Sequence, residues 1–317
     1  DFTSQMSRVE AISGASAAEM EKLNAEALKM GSTTQFTATE AGQALEYMAM
    51  AGWPLKKGQE YYSLAATTAK NIIDNSGLYL TESYAELWKE ANKEQANEVM
   101  FAIHHNAKLK TASNYGKSYY PADFIPAGWA DYYGNEAFYL NYPDDERKAW
   151  NYMTEWNTKS GHVTYKESGD KLPAISKYYN YDNGAPGSSQ LANGITCIYR
   201  YAEVLLMYAE ASTRATNSVN TQAIQAIQEI QKRAGYADSQ LTTTTDPTAF
   251  TTAVSNERGW EFFAEMKRWF ELVRLEKVSE VRAETWDGSL FQRNNHYYFP
   301  IPYQQIELTQ WTNNAGY

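Results

Sequence analysis

The spacing of apolar positions predicts a mainly α-helical protein. Apolar residues recur at intervals of three and four, which gathers them on one face of a helix. This pattern predicts helices over residues 17–29, 39–51, 58–75, 81–91, 198–214, 220–234 and 247–275. The pair 39–51 and 58–75 matches the two-helix unit of tetratricopeptide-like solenoids. Little β-structure is expected, apart from a short buried strand at 98–104.

Residues 106–192 interrupt the helical pattern. Pro, Gly, Asn, Asp and Ser recur there, with Tyr and Trp between them. A segment of this length without helical periodicity is usually functional or disordered, and its density of aromatic residues argues against disorder. We therefore expect an ordered, loop-rich excursion from a helical scaffold.

Composition and charge narrow the possible functions. The chain has 317 residues and a formal net charge of −10, and no cluster of Lys and Arg stands out. An acidic chain repels a phosphate backbone, so we expect no nucleic-acid partner. No apolar run approaches the roughly 20 residues that a membrane-spanning helix needs. The single cysteine, Cys197, is expected to be a buried apolar residue rather than a reactive thiol.

An excess of Tyr and Trp is the feature of composition that bears on ligands. The chain has 25 Tyr and 9 Trp against 11 Phe. Tyr and Trp combine an apolar face with a polar edge, and sugar rings combine apolar C–H faces with hydroxyl groups. Loop aromatics with Asn and Asp nearby therefore suit glycans, although aromatic residues also fill helical cores.

The loop-rich segment contains the best candidates for such a site. We expect an exposed stacking platform for sugar rings among the following residues: Trp129, Tyr132, Tyr133, Trp156, Tyr119 and Tyr120. Asp131 and Asn135 are expected to hydrogen-bond sugar hydroxyls. The alternative is that the rings pack the loops onto the helices and that the two polar residues serve ordinary turns.

Charged residues in the predicted helices are expected to be structural, because charged groups on largely buried helices are normally paired. This predicts ion pairs for Arg200, Glu203, Glu210, Glu257, Arg258, Glu265 and Arg268.

No catalytic or metal site is expected. The acidic run 144–146 follows Pro143, which suits the start of a helix and not the two opposed carboxyl groups of a glycosidase. His104 and His105 should point to opposite faces of an extended segment, with no third ligand at zinc-like spacing. The sequence therefore predicts no catalytic residue, no metal and no cofactor.

Three separated blocks of the C-terminal half resemble the SusD/RagB family. They are 198–211 (IYRYAEVLLMYAEA), 257–274 (ERGWEFFAEMKRWFELVR) and 298–302 (YFPIP), followed by the ending 314–317 (NAGY). Glu271 stands where the family pattern has Asp, and Ala315 stands where it has Pro. The order and spacing of these blocks identify 53–317 as a SusD/RagB-like domain.

The resemblance implies a fold, a function and partners. Members of that family have a tetratricopeptide-like helical scaffold with long glycan-binding loops, and they are surface lipoproteins of Bacteroidota. It thus implies a non-enzymatic glycan-binding protein at the surface of the outer membrane. The implied partners are a polysaccharide or oligosaccharide and a SusC-like TonB-dependent outer-membrane transporter that takes up the glycan as nutrient. Membrane contact is expected only through an N-terminal lipid anchor outside this sequence.

Residues 1–52 resemble a different family. The stretches 2–15 (FTSQMSRVEAISGA) and 31–41 (GSTTQFTATEA) are similar to the start of a phage tail tape-measure domain. We therefore expect an atypical helical segment at 1–52, followed by the SusD/RagB-like domain that contains the excursion 106–192. The alternatives to glycan uptake are a tetratricopeptide-like interaction or structural module without glycan affinity, and a phage tail component carried by the first segment alone.

Overall fold

A computed structural model describes residues 2–13, 20–21, 23–25, 27–28, 58–106, 108–125, 128–178, 193–278 and 299–314. They divide into two compact units, Asp1–Tyr61 with Ser289–Tyr317, and Tyr62–Gly288. Among these described residues, no helix is long and apolar enough to cross a membrane.

Helices account for most of the regular structure. In chain order they are α1 (Phe2–Ser13), α2 (Gly58–Asn75), α3 (Tyr84–Trp88), α4 (Tyr115–Tyr119), α5 (Glu136–Asn141), α6 (Glu146–Asn151), α7 (Tyr201–Thr216), α8 (Thr221–Arg233), α9 (Pro247–Glu261), α10 (Arg268–Arg274) and α11 (Tyr303–Thr309). Short 3-10 turns lie at Glu90–Asn92 and Asp238–Gln240. The prediction of a mainly helical fold is confirmed.

The strands form small antiparallel sheets of two strands each. In chain order they are β1 (Val99–His104), β2 (Tyr152–Met153), β3 (Glu155–Thr158), β4 (Gly161–Thr164), β5 (Ala174–Ile175) and β6 (Ile195–Arg200). Strand β1 pairs with β6, β2 with β5, and β3 with β4.

In the first unit, the apolar face of α1 forms a small core. Met6 and Val9 are buried there and pack against Met20 and Ala27. The described residues around the last two are helical, in agreement with the predicted helix at 17–29. The predicted helix at 39–51 lies outside the described residues.

The main core of the second unit lies between α7, α8 and α9. Helix α8 contributes Ala223, Ile227 and Ile230, which pack with Leu206 and Phe250, and all five are fully buried. Full burial of an aliphatic or aromatic side chain of this size contributes about 1.5–3 kcal/mol. The predicted amphipathic helix at 220–234 is therefore confirmed, and its apolar face is what holds the helix in place.

Side-chain caps set where these helices begin. Asn220 accepts a hydrogen bond from the amide of Ala223 and starts α8. Asp246 accepts one from Ala249 and starts α9, whose first residue is Pro247. A capping oxygen satisfies a helix amide that has no partner within the helix, and proline at the first position loses no hydrogen bond.

Residues 198–214, predicted as one helix, form the end of a strand followed by a helix. Strand β6 runs to Arg200 and α7 begins at Tyr201. Strand β6 pairs with β1, with Ala102 opposite Cys197. Apolar residues spaced for a helix joined the strand because a distant segment supplied the backbone hydrogen bonds.

Two other predicted helices and the burial of one strand also differ from prediction. Residues 81–91 contain only the short α3 and a 3-10 turn. The predicted helix at 247–275 is broken between α9 and α10. Strand β1 confirms the strand at 98–104, but Phe101 and Ile103 on its outer face are exposed rather than buried. A sheet of two strands packs one face on the core and leaves the other free.

The described part of 106–192 is ordered and carries α4 to α6 and β2 to β5, so it contains more β-structure than expected. The boundary after residue 52 remains a prediction.

Candidate functional site

Residues 128–132 are held against helix α4 by backbone hydrogen bonds. The amide of Trp129 donates to the carbonyl of Lys117 at 2.7 Å, and the amide of Asp131 donates to Ser118 at 2.9 Å. The amide of Tyr132 also reaches the Ser118 carbonyl, at 3.3 Å. A segment without helix or strand is thus fixed in place, as predicted for an ordered loop.

Gly128 allows this close approach. A β-carbon at this position would lie 2.1 Å from the carbonyl oxygen of Tyr120. Real β-carbons do not come that close to a backbone atom, so glycine is required for the segment to pack on the end of α4.

Trp129 and Tyr132 are exposed on this fixed segment. Their side chains are 50% and 61% exposed. The Tyr132 ring lies 5.7 Å from the ring of Tyr119, which is buried below it. The ammonium group of Lys117 lies 4.9 Å from the centroid of the Trp129 ring, a cation–π contact that helps to orient the ring. Two large aromatic side chains therefore face solvent from a constrained backbone.

The polar candidates lie on the same stretch of chain. Asp131 is exposed. The hydroxyl of Tyr133 donates to Asp170 at 2.6 Å, and burial together with this hydrogen bond raises the pKa of Tyr133. Asn135 is exposed and caps α5, because its side-chain oxygen accepts from the amide of Phe138 at 2.9 Å. The ordinary capping function foreseen as an alternative is therefore present at Asn135.

Three predicted platform residues are buried, which corrects the prediction for them. Trp156 is only 3% exposed, and its indole N–H donates to Asp123 at 2.8 Å. Tyr119 and Tyr120 are also buried. A ring packed on both faces by protein has no face left for a sugar, so these three support the surface from within. The name Trp129 surface is used below for the remaining five candidates: Trp129, Asp131, Tyr132, Tyr133 and Asn135.

An aromatic layer lies beneath the exposed rings. Tyr119 stacks on Tyr178 with 5.9 Å between centroids and 17° between planes, and Tyr178 meets Trp88 edge-on. Burial, with smaller contributions from Tyr115 and Tyr132, raises the pKa of Tyr119 to about 12. The layer is thus neutral at physiological pH and supports the Tyr132 ring from below.

Below this layer, a group of buried ion pairs joins α6, α9 and the end of β6. This charge network consists of Glu98, Asp145, Arg147, Lys177, Arg200, Arg233, Glu257, Glu261 and Glu265. Arg200 contacts Glu98 at 2.6 Å, Glu261 at 2.5 Å and Glu265 at 2.9 Å.

Ion pairs at the predicted scaffold residues are thereby confirmed. Outside the network, Glu203 pairs with Arg258, Glu210 with Arg274, and Arg268 with Glu271.

Burial and the neighbouring charges together set the pKa values in the network. Burial alone would raise the pKa of Glu261, but Arg233, Arg200 and Arg147 together lower it below its usual 4.5. Burial raises the pKa of Glu257, with Arg147 opposing the shift. Burial lowers the pKa of Lys177 to about 8, against the opposing effect of Glu265. These charged groups are ion-paired with one another, so the network acts as a structural element.

The acidic run 144–146 caps helices, as expected. Asp145 accepts hydrogen bonds from the amides of Arg147 and Lys148 at the start of α6. Glu146 accepts from the amides of Tyr84 and Ala85 at the start of α3. Carboxylates at helix N-termini are favourable for both hydrogen bonding and the helix dipole.

The two histidines are engaged separately. His104 contacts Glu94 at 3.2 Å, and His105 contacts the Thr196 hydroxyl at 2.7 Å. Within the described residues, no group of three or more His, Cys, Asp and Glu side chains could hold a metal ion. Cys197 is buried, as predicted, and burial raises the pKa of its thiol to about 12.

Sequence reasoning missed three residues near the Trp129 surface. Lys117 covers the Trp129 ring. Tyr115 lies 6.1 Å from Tyr119, ring to ring. Met266 is exposed and its sulfur lies 3.9 Å from the Tyr115 hydroxyl. Of these three, only Tyr115 had a signal in the sequence, because it stands among the loop aromatics. The positions of Lys117 and Met266 beside their partners depend on tertiary contacts.

The fold agrees with a family assignment from the sequence. The model of the SusD family matches residues 81–317. The chain therefore belongs to the SusD family, which confirms the resemblance seen in its C-terminal blocks.

Relatives with known sequences support this assignment. SusD-like protein P2 of Formosa agariphila is 24% identical over 312 residues, covering 90% of this chain and 61% of that protein. The chain thus spans about three fifths of this relative's length.

The tape measure protein of Pneumococcus phage Dp-1 is 42% identical over 57 residues, which is 18% of this chain and 5% of the phage protein.

Solved structures share the fold. A SusD superfamily protein from Parabacteroides distasonis matches with a TM-score of 0.68 and 23% identity, covering 88% of this chain and 62% of that one. Surface glycan-binding protein A from Bacteroides thetaiotaomicron, in complex with laminarihexaose, matches with a TM-score of 0.60 and 22% identity, covering 88% and 64%.

Proposed function

We propose that this chain binds a glycan through the Trp129 surface and does not hydrolyse it. The observation that carries the proposal is the exposure of Trp129 and Tyr132 on a backbone that is hydrogen-bonded to α4. Ordering of the rings before binding reduces the entropy cost of association. Membership of the SusD family and the structural neighbour that was solved with laminarihexaose support a glycan as the ligand.

Binding would combine stacking with hydrogen bonds. The apolar C–H face of a sugar ring packs on Trp129 or Tyr132, and the side chains of Asp131 and Asn135 bond its hydroxyl groups. Lys117 keeps the indole in position from one side. The carboxylates of the charge network are buried and paired with cations, so they take no part in this site.

The biological setting we propose is nutrient uptake at the outer membrane. In this setting the protein is held at the cell surface by an N-terminal lipid anchor and passes its glycan to a SusC-like TonB-dependent transporter. Family membership supports this setting. Pull-down of the co-expressed transporter by the surface protein is the measurement that tests it.

Affinity gel electrophoresis tests glycan binding. Native gels containing laminarin, starch, xylan or pectin should retard the wild-type chain in at least one case, and calorimetry with laminarihexaose provides a defined oligosaccharide. A double variant, Trp129→Ala with Tyr132→Ala, should lose the retardation and keep the wild-type circular dichroism spectrum.

The outcomes separate glycan binding from the alternative functions. A folded wild-type chain that none of the four polysaccharides retards would favour the protein-interaction module and reject the proposal. Retardation that survives in the double variant would show that the chain binds glycan elsewhere.

A further inference from the structure

The turn between α9 and α10 holds two side-chain-bearing residues in a backbone conformation that favours glycine. Ala264 has φ 58° and Met266 has φ 61°. In this left-handed region the β-carbon of an L-residue crowds the following carbonyl, at a cost of about 1–2 kcal/mol per residue. Such strain persists where the surrounding structure imposes it, and it is concentrated at functional sites.

Glu265, between these two residues, explains why the turn has this shape. Its carboxylate is buried, with Lys177 at 2.7 Å and Arg200 at 2.9 Å. The carbonyl of Ala264 also accepts the hydroxyl of Tyr178 at 3.0 Å. The turn must therefore place Glu265 inwards, and the residue that follows is directed to the surface.

The shape of the turn does not explain why residue 266 is a methionine. Glycine would adopt the same φ without strain, and Met266 is 59% exposed, so most of its side chain stabilises no core. Its sulfur accepts a hydrogen bond from the Tyr115 hydroxyl at 3.9 Å. Tyr115 in turn lies beside Tyr119, and Tyr119 beside Tyr132. A continuous series of contacts thus leads from Met266 to the Trp129 surface.

We infer that Met266 is a ligand-contacting residue that extends the Trp129 surface across Tyr115. This inference rests on the glycan-binding function proposed above. The thioether side chain is apolar, unbranched and adaptable, so it can pack against the C–H face of a sugar unit beyond those on Trp129 and Tyr132. The strain in the turn is the cost of presenting this side chain where glycine would suffice for the fold.

Two glycine variants separate the side chain from the turn. Met266→Gly removes the side chain and relieves the strain, and Ala264→Gly relieves the same strain two residues away and leaves Met266 in place. Both should melt no lower than the wild-type chain, because glycine adopts a positive φ freely. Met266→Gly should weaken binding by about three- to tenfold, as expected for loss of a partly buried apolar side chain. Ala264→Gly should bind within twofold of wild type.

A third variant tests whether apolar bulk is what matters. Met266→Leu has similar volume and should keep the wild-type affinity. All affinities are measured by gel retardation on the polysaccharide among laminarin, starch, xylan and pectin that retards the wild-type chain most strongly.

Failure of this inference can be told apart from failure of the proposed function. If the wild-type chain binds and Met266→Gly binds equally well, Met266 does not contact the ligand and the proposed function stands. Loss of affinity in Ala264→Gly or Met266→Leu as large as in Met266→Gly would also overturn the inference, since the turn rather than the side chain would then decide binding. If the wild-type chain binds none of the four, the proposed function and this inference fail together.

Discussion

The charge network and the Trp129 surface lie in the same unit but differ in what their side chains contact. In the network, each charged group is buried against a partner of opposite sign, as Arg200 is against Glu98, Glu261 and Glu265. At the surface, Trp129 and Tyr132 have their backbone fixed and much of each ring free.

This difference predicts where a substitution should affect stability and where it should affect the proposed glycan binding. Removal of one member of a buried ion pair leaves an uncompensated charge, so the network is sensitive to any single substitution. An exposed ring supports no core, so its loss should affect a ligand and leave the fold unchanged. Variants that separate stability from binding therefore test the comparison directly.

The largest effect is expected from breaking the network at its centre. Glu261→Ala removes the carboxylate shared by Arg147, Arg200 and Arg233. It should lower the free energy of unfolding by about 3–5 kcal/mol, because three buried cations lose a partner. Urea denaturation followed by circular dichroism measures this loss.

A surface ion pair provides the control for this experiment. Lys70 and Asp74 pair on the exposed side of α2, and Lys70→Ala should cost at most about 1 kcal/mol. Equal losses in Lys70→Ala and Glu261→Ala would contradict the central position assigned to the network.

A pair of tryptophans provides the next contrast. Trp156→Ala empties a site in the buried cluster around Tyr120 and Phe124 and should cost about 3–5 kcal/mol. Trp129→Ala should change stability by no more than about 0.5 kcal/mol and should weaken glycan retardation. Thermal melting and gel retardation on both variants should give opposite orders of severity; the same order in both assays would mean that burial does not separate the two residues.

A smaller effect is expected from Gly128→Ala. The new methyl group would meet the Tyr120 carbonyl, so the segment must shift at a cost of about 1–3 kcal/mol. Trp129 and Tyr132 would move with it, and retardation by glycan should weaken. Gly169→Ala is the matched control, since a β-carbon there meets nothing within 4 Å; a Gly128→Ala variant that melts and binds like Gly169→Ala would show that the close approach is not needed.

The smallest effect is expected from a change of pH between 7 and 5. Burial alone would raise the pKa values of Glu261 and Glu265, but nearby cations lower them below the usual 4.5. As pH falls, the unfolded chain therefore takes up protons before the folded chain does. The stability that Glu261 and Glu265 contribute is present above about pH 4.5 and is lost as pH falls further. Glu257 has the opposite effect on stability, because burial raises its pKa.

Melting temperatures at pH 7, 5 and 3 check this sign. The melting temperature should change little between pH 7 and 5 and fall clearly by pH 3. A chain that becomes more stable at pH 3 would refute the charge pairing described here.

Sequence patterns predicted the parts of the fold that depend on local spacing. Helix α8 follows from Ala223, Ile227 and Ile230 on one face, because that face is encoded within a single segment. Pairing of the scaffold charges followed from a general rule, since a buried Arg200 requires an acidic partner. Which acid it meets could not be predicted, because Glu98 and Glu261 come from distant parts of the chain.

Candidate ligand residues were less predictable. Trp129 and Trp156 stand in similar polar, aromatic surroundings in the sequence, yet one is exposed and the other is buried. Trp156 is buried because it lies in strand β3 and because its indole N–H donates to Asp123. Neither the strand nor this hydrogen bond has a local signal in the sequence.

By itself, the sequence determined the helical class and the family, and it indicated the segment in which we propose a ligand surface. These depend on residue spacing and composition, which are local properties. Only the tertiary structure decided that Arg200 ends a strand, that Tyr119 supports Tyr132 from below, and that Met266 emerges beside Tyr115. Burial and contact are set by segments far apart in the chain, and each of these outcomes required a partner that no neighbouring residue could supply.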